Sequence, residues 1–507
     1  MKFLSGKFLT LFISATFLSG AEKNIIFFIT DDESPTLGCY GDRVAKTPAI
    51  DALAKDGTLF LNAFATTASC SASRSVVMSG LHNHANGQYG HQHSFHKFSS
   101  YFNVIGLSLP RNLSKAGYRS GQIGKYHVSP EEVFRFDEYI KGNPRNAVQM
   151  ANQAKEFITA ENEKPFFLYF ATSDPHRGGG IDRNSKLKLK PDMFGNKQDR
   201  KPHDGVNEVF YQPKQVPIPS FLPDTPETRE ELAQYYQSVS RIDQGVAKLV
   251  EILKDAGLYD KTLIVFTSDH GMAFAGGKTT VYEGGLRVPF VVRNPYEKKR
   301  GIRHQAMISH IDITPTLLDF AGALDTQRNR PLQWEDPGKA FPAPQTTGPK
   351  DNRGVSAKLS SYHGKSWLPV LGEPMASHWD SIFASHTFHE IQMYYPMRVF
   401  RDKKFKLIWN IAHPLPYPFA SDLWAASSFQ AQYQQSLSAP YGKKTVRQYI
   451  HRPEFEFFKI DQDPEESNNL AGKPKFSDQL EAYKEKLKSA QKKFQDPWVM
   501  KWSYEYP

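Results

Sequence analysis

Six runs of apolar residues recur along this chain, and most of them break off abruptly at ionisable side chains. The first is Asn24-Ile25-Ile26-Phe27-Phe28-Ile29-Thr30, which ends in Asp31-Asp32. Thr58 to Phe64 leads toward a segment around Cys70, and Tyr118 to Ile123 runs into Gly124-Lys125-Tyr126-His127. Pro165 to Ala171 is followed by Ser173-Asp174-Pro175-His176-Arg177, and Thr262 to Ser268 by Asp269-His270-Gly271. Phe290-Val291-Val292 completes the set. Unbroken runs of this length predict strands buried on both faces, as in a parallel sheet, because a half-buried strand would alternate.

Helical patterns separate these strands. Thr47 to Ala54 starts with Pro48 in its first turn, and Leu107 to Ala116 is closed by Gly117. Glu230 to Ala256 carries Leu232, Tyr235, Val239, Ile242, Val246, Leu249 and Leu253 at steps of three and four, which predicts an amphipathic helix ended by Gly257. Asp312 to Leu318 reads as a further capped helix. Strand alternating with helix predicts an α/β fold, a mostly parallel sheet sandwiched by helices. From Gly178 to about Pro223 the chain is polar and rich in Gly, Pro and Lys, as expected of a long surface insertion or lid. About Asp325 to Ser361 is the best boundary, giving a catalytic domain over 22–360 and a smaller α+β subdomain over 361–507. The latter has short aromatic strands such as Phe405 to Trp409 and Phe455 to Phe458, expected to form an antiparallel sheet, and closes with a charged helix from about Ser477 to Phe494.

Composition narrows the setting. Residues 1–21 carry Lys2 and Lys7, an apolar run from Phe8 to Leu18 and the small residues Ser19-Gly20-Ala21, the pattern of a secretory signal peptide. The chain is therefore expected to be exported, periplasmic or secreted. No later stretch is long and apolar enough for a stable membrane span. Without Lys2 and Lys7 the net charge falls from +10 to +8, a balance that suits a polyanionic substrate. No arginine-rich arm, zinc finger or RNA-binding signature is present, which argues against nucleic acid as a partner. Cys39 and Cys70 are the only cysteines, too few for a disulfide-built exported protein, although they could pair with each other.

Ligands of such sheets bind beyond the carboxyl ends of the strands. Asp31-Asp32, His127, His176 and Asp269-His270 all follow predicted strands at that end, which makes one cation-containing anion site the economical reading. Adjacent carboxylates supply hard oxygen ligands for calcium or magnesium. Cys70 stands at a helix start with Arg74 one turn later, a place that suits phosphate or sulfate. Lys125 and His127, two apart on an extended segment, point the same way. His82, His84, His91, His93 and His96 form a histidine-rich loop, read as contact with a polar substrate because no cysteine partner or helical register supports a transition metal there.

These residues carry a resemblance. Cys70-Ser71-Ala72-Ser73-Arg74 resembles the signature of the formylglycine-dependent, alkaline-phosphatase-like sulfatase family. Asp31-Asp32, Gly124 to His127, Asp174-Pro175-His176, Ser268 to Gly271, Lys278 with Glu283-Gly284-Gly285, and Asp461 to Pro464 with Asn469-Leu470-Ala471 are similar to its other blocks. Gly80 to Gly90, Asp174 to Arg177, Tyr235 to Gly245, His389-Glu390, Tyr395 to Arg398 and Asp496 to Val499 resemble the N-sulfoglucosamine sulfohydrolase branch. Two departures stand out. Ala72 replaces the usual proline, as in signatures similar to those matured by oxygen-independent radical enzymes, and His270 replaces the asparagine of many relatives.

The resemblance implies that Cys70 is converted to formylglycine by a maturase. It implies that Asp31, Asp32, Asp269 and His270 hold one calcium ion, with residue 70 completing the shell. It assigns Arg74 to stabilising the nucleophile, Lys125 and Lys278 to the sulfate oxygens, His127 to the base and His176 to the acid. His389, Glu390 and Arg398 become expected contacts of the sugar. The implied substrate is a sulfated glycan, foremost an N-sulfated glucosamine; an O-sulfated glycan or algal polysaccharide, a phosphodiester or phosphonate, and a non-catalytic glycan-binding role remain alternatives, and oligomerisation stays open.

Overall fold

The computed structural model describes residues 23–93, 95–178, 194–197, 199–325 and 361–505. An eight-stranded sheet is built from β1 (Asn24–Thr30), β2 (Thr58–Phe64), β3 (Arg119–Gly124), β4 (Glu138–Ile140), β5 (Phe166–Ala171), β6 (Thr262–Ser268), β7 (Phe290–Arg293) and β8 (Ile302–Ser309), in the order β4-β3-β5-β1-β6-β7-β2-β8. Every pairing is parallel except those of β7 with β6 and β2. β1 lies centrally, and its residues alternate between two cores. Ile26 and Phe28 pack with the helices Ala147–Thr159 and Pro226–Asp255 on one face. Ile25, Phe27 and Ile29 pack with Leu109–Lys115 and Ile313–Phe320 on the other. Burial on both faces is what the unbroken apolar run required.

The α/β architecture agrees with expectation, and several details do not. β8 escapes a reading by apolar runs because Arg303 and Gln305 point to solvent from this edge strand; polar residues on an edge discourage pairing with other chains. The helix Ala147–Thr159 is likewise absent from that reading, although Asn146 caps it by accepting from Gln149 N. The segment expected as a surface insertion is partly interior: Phe194 is fully buried against Tyr235 and Phe274, and Val216 and Leu222 are buried too.

A four-stranded antiparallel sheet forms the C-terminal subdomain from β9 (Ser381–His386), β10 (Met397–Asp402), β11 (Lys406–Asn410) and, after the short ladder β12 (Pro440–Tyr441) with β13 (Lys444–Thr445), β14 (Phe455–Phe458). Its order is β14-β11-β10-β9. The helix Ser477–Lys493 covers it through Leu480, Tyr483 and Leu487. Residues ahead of this sheet belong physically to the first domain: Trp367, Leu371 and Trp379 enter the core that holds Phe60 and Phe290. The signal-peptide reading and most of the connection near 325–361 lie outside the described residues. Among the described residues no helix is long and apolar enough to cross a membrane.

Candidate active site

The carboxyl ends of β1 and β6 bring three carboxylates together. Asp31 and Asp32 continue β1, Asp269 continues β6, and one oxygen of each lies within 4.8 Å of the others. Backbone bonds hold the turn: Asp269 N donates to Thr30 O, Asp31 N to Asp174 O, and Asp32 N to Asp269 Oδ1 at 3.0 Å. Asp32 has a left-handed φ of 64°, a conformation that costs on the order of 1–3 kcal/mol outside glycine. That cost persists because these bonds leave the chain no relaxed alternative.

Three cations face the carboxylates. Arg74 Nε donates to Asp269 Oδ2 at 2.9 Å, and Nη2 reaches Asp31 Oδ1 at 3.4 Å. Lys125 Nζ donates to Asp31 Oδ2 at 2.5 Å. Its position depends on Gly124, where φ is +86° and a Cβ would meet Ala171 O at 2.0 Å; only glycine lets β3 end so close to β5. Lys278 Nζ donates to Asp32 Oδ2 at 3.0 Å, His176 Nε2 at 3.0 Å and Asp422 Oδ2 at 2.9 Å. Lysine can only donate, so His176 Nε2 is an acceptor here and the imidazole is neutral. Burial and the neighbouring Lys278 hold its pKa well below the ordinary value.

Cys70 opens the helix Cys70–Ser79 with no exposed surface. Its Sγ lies 3.3 Å from His270 Nε2 and 3.7 Å from Asp32 Oδ1. Burial pushes the thiol pKa well up despite Lys125 and Lys278, so an unmodified Cys70 is not a thiolate nucleophile. Both cysteines are free. Ser73 anchors the helix by donating to Asp269 O at 2.5 Å, with His310 Nδ1 at 3.0 Å.

A divalent ion fits this donor set. Burial raises Asp32, and it raises Asp269 to about 6 with the help of Asp31. For Asp31, burial is outweighed by Lys125 and Arg74, which hold it well below the usual range. Asp32 and Asp269, whose charge burial disfavours, converge with the ionised Asp31, and a hard cation relieves that arrangement. His270 fits too. Its Nδ1 stands 3.0 Å from Gly271 O, a carbonyl that can only accept. Nδ1 is therefore the donor to Gly271 O, which turns Nε2 toward Asp32 Oδ1 at 3.2 Å and Cys70 Sγ at 3.3 Å, the place where an ion would be held.

The structure distributes the other candidates unevenly. His127, at a left-handed φ of 56°, places Nε2 3.0 Å from His93 Nδ1 and leaves Nδ1 buried without a hydrogen-bond partner. His389 lies beside His91, with ring centroids 3.8 Å apart, and bonds Ser69 Oγ through Nδ1 at 3.0 Å. Glu390 is already engaged, accepting from Ser421 N and Oγ and from Gln392. Arg398 departs from its expected role as a sugar contact. It has no exposed surface, and its guanidinium pairs with Asp496 at 2.6 and 3.0 Å and donates to His386 O and Met397 O. The resemblance implied a sugar contact at position 398, but the guanidinium is taken up by a buried partner nearly a hundred residues away.

Asp422 was not legible as a site residue. It lies on the short helix Ser421–Trp424 of the C-terminal subdomain, away from any strand end, and only the tertiary contact with Lys278 reveals it.

The family model described as Sulfatase matches residues 23–323. The chain belongs to the sulfatase family. This sulfatase is 35% identical over 494 residues to N-sulphoglucosamine sulphohydrolase of Homo sapiens, covering 94% of the chain and 91% of the relative. It is 29% identical to an ulvan-active sulfatase of Formosa agariphila, over 92% of the chain and 78% of that protein. Its fold is shared with a structure solved in complex with its substrate D-glucosamine-2-N,6-O-disulfate, at a TM-score of 0.61 and 21% identity, covering 94% of this chain and 99% of that one. Phosphonate monoester hydrolase of Agrobacterium radiobacter gives a TM-score of 0.62 at 18% identity, covering 93% and 96%. Sulfatases generally use formylglycine and a divalent metal, and the carboxylates beside Cys70 form a group that could hold such a metal.

Proposed function

We propose that this sulfatase is an exported hydrolase that removes sulfate from the nitrogen of glucosamine in heparan-type glycans. The observation that carries this is the 35% identity to N-sulphoglucosamine sulphohydrolase, which extends over 94% of the chain and so includes the C-terminal subdomain. That subdomain brings His389 and Asp422 beside the site.

Asp31, Asp32, Asp269 and His270 would hold one calcium ion. Formylglycine at position 70 would supply a hydrated aldehyde oxygen as nucleophile, and calcium would stabilise charge on that oxygen and on the sulfate. Lys125 and Lys278 bind the non-bridging sulfate oxygens, where charge-assisted hydrogen bonds are strongest. Arg74 holds Asp31 and Asp269 in place and adds positive potential at the helix start. His127 is kept neutral by burial and by Lys125, so it has a lone pair with which to take the proton from residue 70. A sulfamate differs from a sulfate ester in its leaving group, because an amine must be protonated to depart. Lys278 and His176, 3.0 Å apart and beside Asp422, are the pair through which that proton is delivered.

The test uses protein co-expressed with a sulfatase maturase and supplied with calcium. N-sulfoglucosamine should release amine and sulfate in equal amounts, and glucosamine 6-O-sulfate should release little. Sulfate released from the O-sulfated sugar alone would replace this reading with an O-sulfatase. Mass analysis of the Cys70 peptide identifies any preparation that was never matured.

A further inference from the structure

The histidines between residues 82 and 96 divide into two groups. His82 and His84 stack on each other and pack against Phe383, with His82 also against Phe494, at the interface with the C-terminal subdomain. His91 and His93 turn toward His127. One ring nitrogen from each of these three lies within 4.8 Å of those of the other two. Their ring centroids are 4.7 to 5.2 Å apart, and His93 Nδ1 is 3.0 Å from His127 Nε2. A tetrahedral zinc ion with Zn–N bonds of about 2.0–2.1 Å needs nitrogens about 3.3 Å apart, so small ring movements complete the arrangement.

The surrounding loop is pinned. His91 N donates to His389 O at 2.8 Å, Phe98 N to His91 O at 3.0 Å, and Ile391 N to His96 Nδ1 at 3.2 Å. His93 is exposed, giving access from solvent, whereas His91 is buried. The trio contains no carboxylate. Neutral imidazoles favour zinc, copper or nickel, whereas calcium requires oxygen. Burial, first of all, keeps His91, His93 and His127 below their ordinary pKa, so the ligating form is present at neutral pH.

We propose that His91, His93 and His127 form a second metal site, separate from the carboxylate site, that binds a borderline divalent ion such as zinc. Occupancy engages the His127 nitrogen and stops hydrolysis. The inhibitory half rests on the role of His127 in the proposed function; the binding half does not.

The test titrates zinc chloride into the full chain, with calcium in excess, against a chromogenic zinc chelator. One zinc per chain is expected in the wild type. His93→Ala should weaken binding by more than about tenfold, the loss that even an outer partner of a metal ligand causes, and His91→Ala should do the same. Asp269→Asn should retain the zinc. The site is refuted if the wild type binds no zinc, if His93→Ala and His91→Ala bind it unchanged, or if Asp269→Asn alone loses it, which would put the ion among the carboxylates. On matured enzyme, zinc should suppress sulfate release by the wild type, and the zinc concentration that halves whatever release His93→Ala retains should be more than about tenfold higher. Zinc bound at one equivalent without inhibition would overturn the regulatory half. Because stoichiometry is read without turnover, failure of this proposal is distinguishable from failure of the assigned substrate.

Discussion

Replacing Asp496 with asparagine should destabilise the protein far more than it alters catalysis. Asp496 and Arg398 have no side-chain exposure, and the carboxylate takes both Nε and Nη2 of the guanidinium. Asp496 also accepts from Gln491 Nε2 at 2.8 Å, and the Trp498 ring lies 4.3 Å from the guanidinium carbon. Asp496→Asn leaves that cation buried without its counter-charge, which costs about 3–5 kcal/mol. Arg398→Met removes the cation but strands the carboxylate, and should cost a similar amount. The double variant Arg398→Met/Asp496→Leu should cost less than either single variant, because neither charge is left alone. Urea unfolding followed by tryptophan fluorescence reads the stability, and KM for N-sulfoglucosamine reads sugar binding. If Arg398→Met unfolds within about 0.5 kcal/mol of wild type while KM rises, then Arg398 touches the sugar and the packing argument fails.

Asp422→Asn removes one charge-assisted partner of Lys278, worth about 1.5–3 kcal/mol, so kcat/KM on N-sulfoglucosamine should fall by about ten- to a hundredfold. An aryl sulfate, whose leaving group needs no proton, should lose much less, and equal losses on both substrates would remove Asp422 from leaving-group chemistry. Asp243 is pushed up to about 7 by burial, against the pull of Ile50 N and Ala49 N, which donate to it. Its folded form therefore keeps a proton that the unfolded chain gives up near its ordinary pKa of 3.8, and stability should fall as pH rises from about 4 to about 7. Asp243→Asn keeps an acceptor and has no proton to lose, so its stability profile should be flatter over that window in thermal melts. Chelating divalent ions should abolish sulfate release and lower the melting midpoint, by about 2.7 kcal/mol of binding free energy at a hundredfold excess over Kd. Calcium should restore both, and a midpoint indifferent to chelator would count against an ion among Asp31, Asp32 and Asp269.

What could be read in advance follows from how local each signal is. β1, β2 and β6 match the apolar runs residue for residue; for β1 and β6 the reason is that every residue is buried, so no exposed position blurs their ends. Asp31-Asp32, Lys125, His127 and Asp269-His270 were legible for the same reason, since each directly follows such a strand. β8 was not, because its outer face is polar, and β7 runs antiparallel although its sequence is as apolar as its neighbours. Parallel and antiparallel partners bury the same side chains, so direction is set by connection and not by composition.

The amino-acid order by itself determined the sheet class, the cysteine at a helix start and the acidic strand ends, because each depends on residues a few positions apart. Only the tertiary structure decided what those groups meet. It paired Arg398 with Asp496, brought Asp422 to Lys278, oriented His270 through Gly271 O and gathered His91 and His93 around His127. Apart from the His270–Gly271 contact, these are encounters between distant stretches of chain. The strength of a charge or a lone pair in a protein is set by what stands within a few ångströms of it, and sequence spacing does not carry that distance.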